Sequence, residues 1–160
     1  MDANINMDAP PKCALKFSNY AVKCIEFILN KIPEKDEKVK LNVNIDTEIR
    51  YNKNEPNKFI TIIKITAGEK ENDKSPFYLS VEVWGFFEVI EEEIHRVRQF
   101  AEINSVAILF PYVRALISTI TANANIPPVI LPPINVAGMM ANTEEVKEEN
   151  TEKQETEAYE

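Results

Sequence analysis

Between residues 38 and 51 the chain alternates without a slip. Val39, Leu41, Val43, Ile45, Thr47, Ile49 and Tyr51 hold the odd positions, and Lys38, Lys40, Asn42, Asn44, Asp46, Glu48 and Arg50 hold the even ones. A period of two sends successive side chains to opposite sides of a pleated backbone, so the segment reads as a strand with one wet face and one apolar face. That apolar face needs partners beside it and a layer on top of it, which the rest of the chain must supply.

Three further segments, residues 14–29, 59–67 and 77–87, are rich in β-branched and aromatic side chains and read as strands. Short polar connections separate the four: residues 30–37 with Pro33, the run Asn52-Lys53-Asn54-Glu55-Pro56-Asn57, and residues 68–75 with Gly68, Asn72, Asp73 and Ser75. Consecutive strands joined by such turns pair antiparallel. The period then changes. Ile94, Val97, Phe100 and Ala101 fall at helical spacing behind Glu91, Glu92 and Glu93, whose charges suit a helix N-terminus. A second helix is expected to begin near Pro111, a good first-turn residue, and to run through Val113, Leu116, Ile117 and Ile120 to about residue 122. The fold class is therefore α+β, a four-stranded antiparallel sheet with helices packed on one face.

Residues 126–140 read Ile-Pro-Pro-Val-Ile-Leu-Pro-Pro-Ile-Asn-Val-Ala-Gly-Met-Met. Four prolines hold this apolar stretch extended, and it must lie against an apolar surface, its own domain's or a partner's. A last helix is expected to start near Asn135. At 160 residues the chain fits one domain. We place it at residues 13–142, behind a disordered lead-in of residues 1–12 and ahead of an acidic tail of residues 143–160. That tail holds eight Glu against two Lys, so of the net charge of −8 only −2 belongs to residues 1–142.

This balance argues against nucleic acid, which demands a clustered surplus of Lys and Arg. No stretch holds the roughly 18 to 20 uninterrupted apolar residues of a membrane span, and no basic region leads an apolar run near Met1. The expectation is a soluble, cytoplasmic chain. Cys13 and Cys24 read as ordinary thiols, and the single His95 announces no metal site. Three glycines leave no phosphate loop and no nucleophile elbow, and Glu91 to Glu93 read as helix-start charge, so neither a catalytic residue nor a cofactor is expected.

Both sheet faces are partly apolar, since Ile60, Ile62, Tyr78, Trp84 and Phe86 interrupt the polar even positions, and Val22 and Ile28 do the same in the first segment. One helical layer covers only one face. Self-association is the expected cover for the other, through Ile60, Ile62, Tyr78 and Trp84 with Val113 and Leu116 of the helix.

Leu109-Phe110-Pro111-Tyr112-Val113-Arg114, followed by the proline-rich run from Ile126 to Asn135, resembles the SecB family. Gly85-Phe86-Phe87 and Val39-Lys40-Leu41 are similar to further family segments. The resemblance implies a homotetramer built as a dimer of dimers, and an ATP-independent export chaperone that holds unfolded polypeptides in apolar grooves. Its groove would comprise Val39, Leu41, Val43, Ile126, Leu131, Val136, Met139 and Met140. It also implies the SecA motor as a partner, against which stand Cys24, Ile28 and Ser80 where proteobacterial members carry acidic residues. Two alternatives stay open: a SecB-like chaperone serving one client such as an antitoxin, and a small-molecule binding protein.

Overall fold

The structure, a computed structural model, describes residues 13–139 apart from 35, 38 and 39. Four strands follow one another, β1 (Leu15–Leu29), β2 (Val43–Tyr51), β3 (Lys58–Gly68) and β4 (Phe77–Val89). They pair antiparallel in the order β1-β4-β3-β2, which makes β3 and β4 central and β1 and β2 the edges. The odd positions of the central strands, including Phe59, Ile63, Ile65, Phe77, Leu79, Val81 and Val83, are buried on one side, the inner face. Near one end of the sheet the register lines up Phe17, Phe87, Phe59 and Tyr51 as direct cross-strand neighbours, one from each strand. Their ring centroids stand 5.1, 5.5 and 6.3 Å apart in succession, within the range where aromatic pairs attract.

The turns are built as their residues dictate. Asn52 Oδ1 accepts from the backbone N–H of Asn54 and Glu55 at 2.9 and 3.1 Å, an Asx-turn that reverses the chain between β2 and β3. Gly68 ends β3 with φ +77°, and a Cβ there would stand 2.0 Å from the Phe77 carbonyl oxygen, so no other residue fits.

Strand β1 departs from simple alternation through two bulges, between Phe17 and Asn19 and between Val22 and Cys24. Each bulge adds a residue and so reverses which parity points inward. The inner-face residues of β1 are accordingly Leu15 and Phe17, then Tyr20 and Val22, then Ile25, Phe27 and Leu29, each opposite an inner-face residue of β4. Val22, read from parity as an outer-face residue, lies opposite Val83 on the inner side; Ile28, opposite Tyr78, is on the outer one.

Where two helices were expected, one helical run, α1 (Glu91–Asn123), extends for 33 residues. It opens as a 3₁₀ helix over Glu91–Arg96, widens into a π turn at Phe100–Asn104, and is α-helical from Ser105. Pro111 lies inside it rather than at its start. An internal proline removes a hydrogen bond and clashes with the preceding turn at about 3 kcal/mol. The same helix buries Val106, Leu109, Phe110, Val113 and Ile117 along one side, each worth roughly 1.5–3 kcal/mol, so packing wins. By length and composition α1 could cross a membrane; here that apolar stripe closes the inner face of the sheet. Gly85 permits the approach, because a Cβ there would meet Leu109 at 3.0 Å and the Phe87 ring at 2.8 Å. The one polar seam is satisfied within itself: Thr61 and Ser105 share a hydrogen bond of 2.5 Å, and the Ser105 hydroxyl is also within 2.5 Å of the Ala101 carbonyl.

The helix ends in a left-handed cap. Asn125 has φ 59°, its N–H donates to Ala122, and the Ile126 N–H donates to Thr121 at 3.4 Å. The cap throws the chain back along α1 as the proline-rich segment. A new helical turn over residues 136–139 is capped by Asn135, whose Oδ1 accepts from the Gly138 N–H at 3.1 Å. The lead-in, residues 1–12, and the acidic tail, residues 143–160, lie outside the described residues.

Candidate functional site

The proline-rich segment lies on its own domain. Ile126, Leu131 and Val136 enter the core with 8, 6 and 7% of their surface exposed. Proline supplies no N–H, so the segment cannot join a sheet ladder, and its backbone is held by side chains of α1 instead. Arg114 Nε donates to the Leu131 carbonyl at 2.8 Å, the Ser118 hydroxyl donates to the Val129 carbonyl at 2.9 Å, and the Val129 N–H donates to Thr121 Oγ1 at 2.9 Å.

Held there, Ile126, Pro127 and Val129 form one wall of a cleft of about 230 Å³, with Leu41, Pro76 and Phe77 as its floor and Pro33, Glu34 and Glu37 as the opposite wall. The opposite wall is also tied down. The backbone N–H groups of Asn30 and Lys31 both donate to the Pro76 carbonyl, at 2.8 and 3.1 Å. The Asn30 side-chain amide reaches Glu69 O and Ser75 O at 2.8 and 2.9 Å. Glu37 then closes the loop, receiving Lys31 Nζ at 2.7 Å and the Glu34 N–H at 3.2 Å. The Lys31 ammonium and, after it, the Glu34 N–H hold the Glu37 carboxyl below the usual carboxylate range, and the same pairing raises Lys31.

Of the eight residues expected in a groove, the structure brings Leu41 and Ile126 together in this cleft. Val43 is exposed at the start of β2, and Met139 is half-buried on the last helical turn. Leu131 and Val136 are buried in the core and do not line this cleft. Val39 and Met140 lie outside the described residues. The sequence reading missed Phe77, Val129 and the three prolines that line the cleft, Pro33, Pro76 and Pro127. It also missed Ile32 and Ile130, which are 82 and 76% exposed, and each of which adjoins a residue lining the cleft. An isoleucine set against a proline in an otherwise polar loop, as in Ile32-Pro33, was the available signal.

The six residues expected at a self-association surface fall in two places. Ile60, Ile62, Tyr78 and Trp84 do lie on the outer face, but none is exposed, and Ile62 retains only 4% of its surface. Charged side chains roof this face. Lys23 Nζ and the Arg50 guanidinium lie 4.5 and 5.0 Å from the Trp84 ring, and Lys70 lies 5.0 Å from Tyr78. Val113 is wholly within the core and Leu116 packs against it. Exposed apolar area sits instead on the inner side of β1, at Tyr20, Val22, Ile25 and Leu29, with Tyr112 of α1 beside it, 4.9 Å from Tyr20. The helix lies over β3 and β4, reaches β1 where Tyr112 meets Phe17 and Tyr20, and leaves the rest of that edge only partly covered.

A larger hollow of about 520 Å³ opens among Arg50, Lys58, Ile60, Phe86 and Glu88. Its charged groups are already engaged with neighbours, Arg50 with Glu48, Lys58 with Glu55, and Glu88 with the Asn57 amide. Cys24, Ile28 and Ser80 register with the outer face, as do Glu26 and Glu82. Those two carboxylates are engaged as well, Glu26 by Lys70 at 2.7 Å and Glu82 by the Trp84 indole N–H at 2.7 Å.

A four-stranded antiparallel sheet with a helix packed against it matches the SecB-like chaperone fold. Residues 19–147 match the family model described as preprotein translocase subunit SecB, and the chain belongs to that family. An uncharacterized protein of Methanocaldococcus jannaschii is 90% identical over 155 residues, 96% of this chain and all of that one. The protein-export protein SecB of Cellvibrio japonicus is 30% identical over 96 residues, 60% of this chain and 58% of that relative's length. Among solved structures, the SecB-like chaperone of Mycobacterium tuberculosis, in complex with a peptide of the HigA1 antitoxin, superimposes with a TM-score of 0.62 at 14% identity, covering 76% of this chain and 91% of that one.

Proposed function

We propose that this chain is an ATP-independent holding chaperone that takes extended, unfolded polypeptide into the cleft between the 30–37 loop and the proline-rich segment. The observation that carries the reading is the convergence of Leu41, Phe77, Ile126 and Val129 on one open cleft flanked by Ile32 and Ile130. A client that buries four or five Leu or Phe side chains gains roughly 1.5–3 kcal/mol for each, enough to offset ordering and leave about micromolar binding. Assembly into a homotetramer belongs to the same proposal, with the uncovered inner side of β1 as the surface where copies meet.

A dedicated chaperone serving one client, such as an antitoxin, is the second reading. It is favoured by the engagement of Glu26 and Glu82 within the outer face, which leaves Cys24, Ile28 and Ser80 without free carboxylates beside them for the SecA motor. The test of the first reading is suppression of aggregation of a chemically unfolded protein at stoichiometric ratio. Wild type is expected to protect, and Leu41→Asp to lose protection while its circular dichroism stays native. Absence of protection by wild type at any ratio would exclude a chaperone.

A further inference from the structure

Among the described residues, no backbone-to-backbone hydrogen bond reaches residues 127–134, although Pro127 and Val129 line the cleft. The segment's position is set by Arg114, Ser118 and Thr121, which follow one another at intervals of four and three residues and so share one side of α1. Their bonds fall on Val129 and Leu131, the residues on either side of Ile130. Burial changes from one residue to the next across Val129, Ile130 and Leu131, and fixing the outer two dictates what each side chain meets. Val129 faces the cleft, Ile130 faces solvent and Leu131 enters the core. A slip of one residue would bury Ile130 and withdraw Val129.

We propose that Arg114, Ser118 and Thr121 are positioning residues for client binding: a three-point latch that fixes the register of the proline-rich wall and keeps the cleft formed before a client arrives. The proposal rests on the reading of this cleft as the client site. A wall that is already seated spares the client the ordering of that segment, so loss of the latch weakens binding and speeds release. The hydrophobic anchors Ile126 and Leu131 keep the segment attached, and the latch selects one attached arrangement.

The test uses the full chain and a fluorescein-labelled, reduced and carboxymethylated α-lactalbumin as a permanently unfolded probe. Fluorescence anisotropy gives affinity and dissociation rate, and amide hydrogen exchange is followed at Val129 and at core residues Ile63 and Val81. The double variant Ser118→Ala/Thr121→Val removes two latch points with little change of shape. It is expected to bind about tenfold more weakly, with faster release and faster exchange at Val129, while Ile63 and Val81 stay protected. Thr121→Ser, which retains the hydroxyl, is expected to bind as wild type does. Should the double variant lose core protection, Arg114→Lys is judged by the same two readouts. Unchanged or tighter binding in a variant whose Val129 amide has been released overturns the latch, as does an unreleased Val129 amide. A wild-type protein that fails to bind the probe removes the client reading beneath it, and the latch with it.

Discussion

The two edge strands end the same apolar layer in different ways. β1 runs 15 residues, bulges twice, and leaves Tyr20, Val22, Ile25 and Leu29 between 41 and 49% exposed on the helix side. β2 runs 9 residues without a bulge; on its inner face Ile45, Thr47 and Ile49 are half-buried and the ends, Val43 and Tyr51, stand open. One edge therefore presents a broad apolar strip and the other leads from Leu41 into a narrow, proline-walled cleft. A strip of that kind suits a lasting mate with a large matching surface, whereas a cleft suits a segment that comes and goes.

The sharpest way to break this division is to charge the strip. Val22→Asp together with Ile25→Asp would place two carboxylates on the proposed interface between copies, where a buried unpaired charge would cost about 3–5 kcal/mol. The expected outcome is loss of assembly in light scattering with the sheet unchanged in circular dichroism, because both side chains are already well exposed within one chain. An assembly that survives the pair would move the interface elsewhere.

The next effect tests whether the edges are independent. Phe87 is the inner link of the row Phe17, Phe87, Phe59, Tyr51, and it is 2% exposed. Phe87→Ala should cost about 3–5 kcal/mol in urea unfolding. It should also raise amide exchange in both edge strands, since the row connects them. A loss confined to β1 would show that the row is a coincidence of register rather than a tie.

These strands also show where the sequence is readable. The alternation of β2 survives into the structure because nothing interrupts it, so each parity keeps its face from Val43 to Tyr51. In β1 the same rule fails twice, because bulges after Phe17 and Val22 depend on pairing with β4 and leave no mark in composition. The order of strands and turns was legible for local reasons, and so was the need of the proline-rich stretch for an apolar surface, but not that Leu131 and Val136, read as groove residues, enter the chain's own core. The placement of Pro111 was not legible either, because burial of Leu109 and Phe110 before it and of Val113 after it outweighs a local preference. Nor was the cleft as a whole. Leu41 and Ile126 are far apart in sequence, and Phe77 and Val129 join them only once the Asn30 contacts and the α1 side chains have set the two walls.

The smallest effect concerns the wall opposite the latch. Glu37 has a folded carboxyl held below its ordinary range by Lys31 and the Glu34 N–H. Its contribution is therefore complete above the unfolded value, about 4.3, and is lost only as pH falls through the lower folded value. The pair is exposed and screened by solvent, so Glu37→Ala should leave the melting temperature at neutral pH unchanged within error. The Glu34 amide is the local reporter, since its N–H donates to Glu37 Oε2. In wild type its chemical shift should hold steady through the neutral range and move only in acid, and in Glu37→Ala that acid movement should shrink. If the substitution also shifts the Val129 amide, the two walls move together, and the cleft is a single coupled unit rather than a seated wall facing a stapled one.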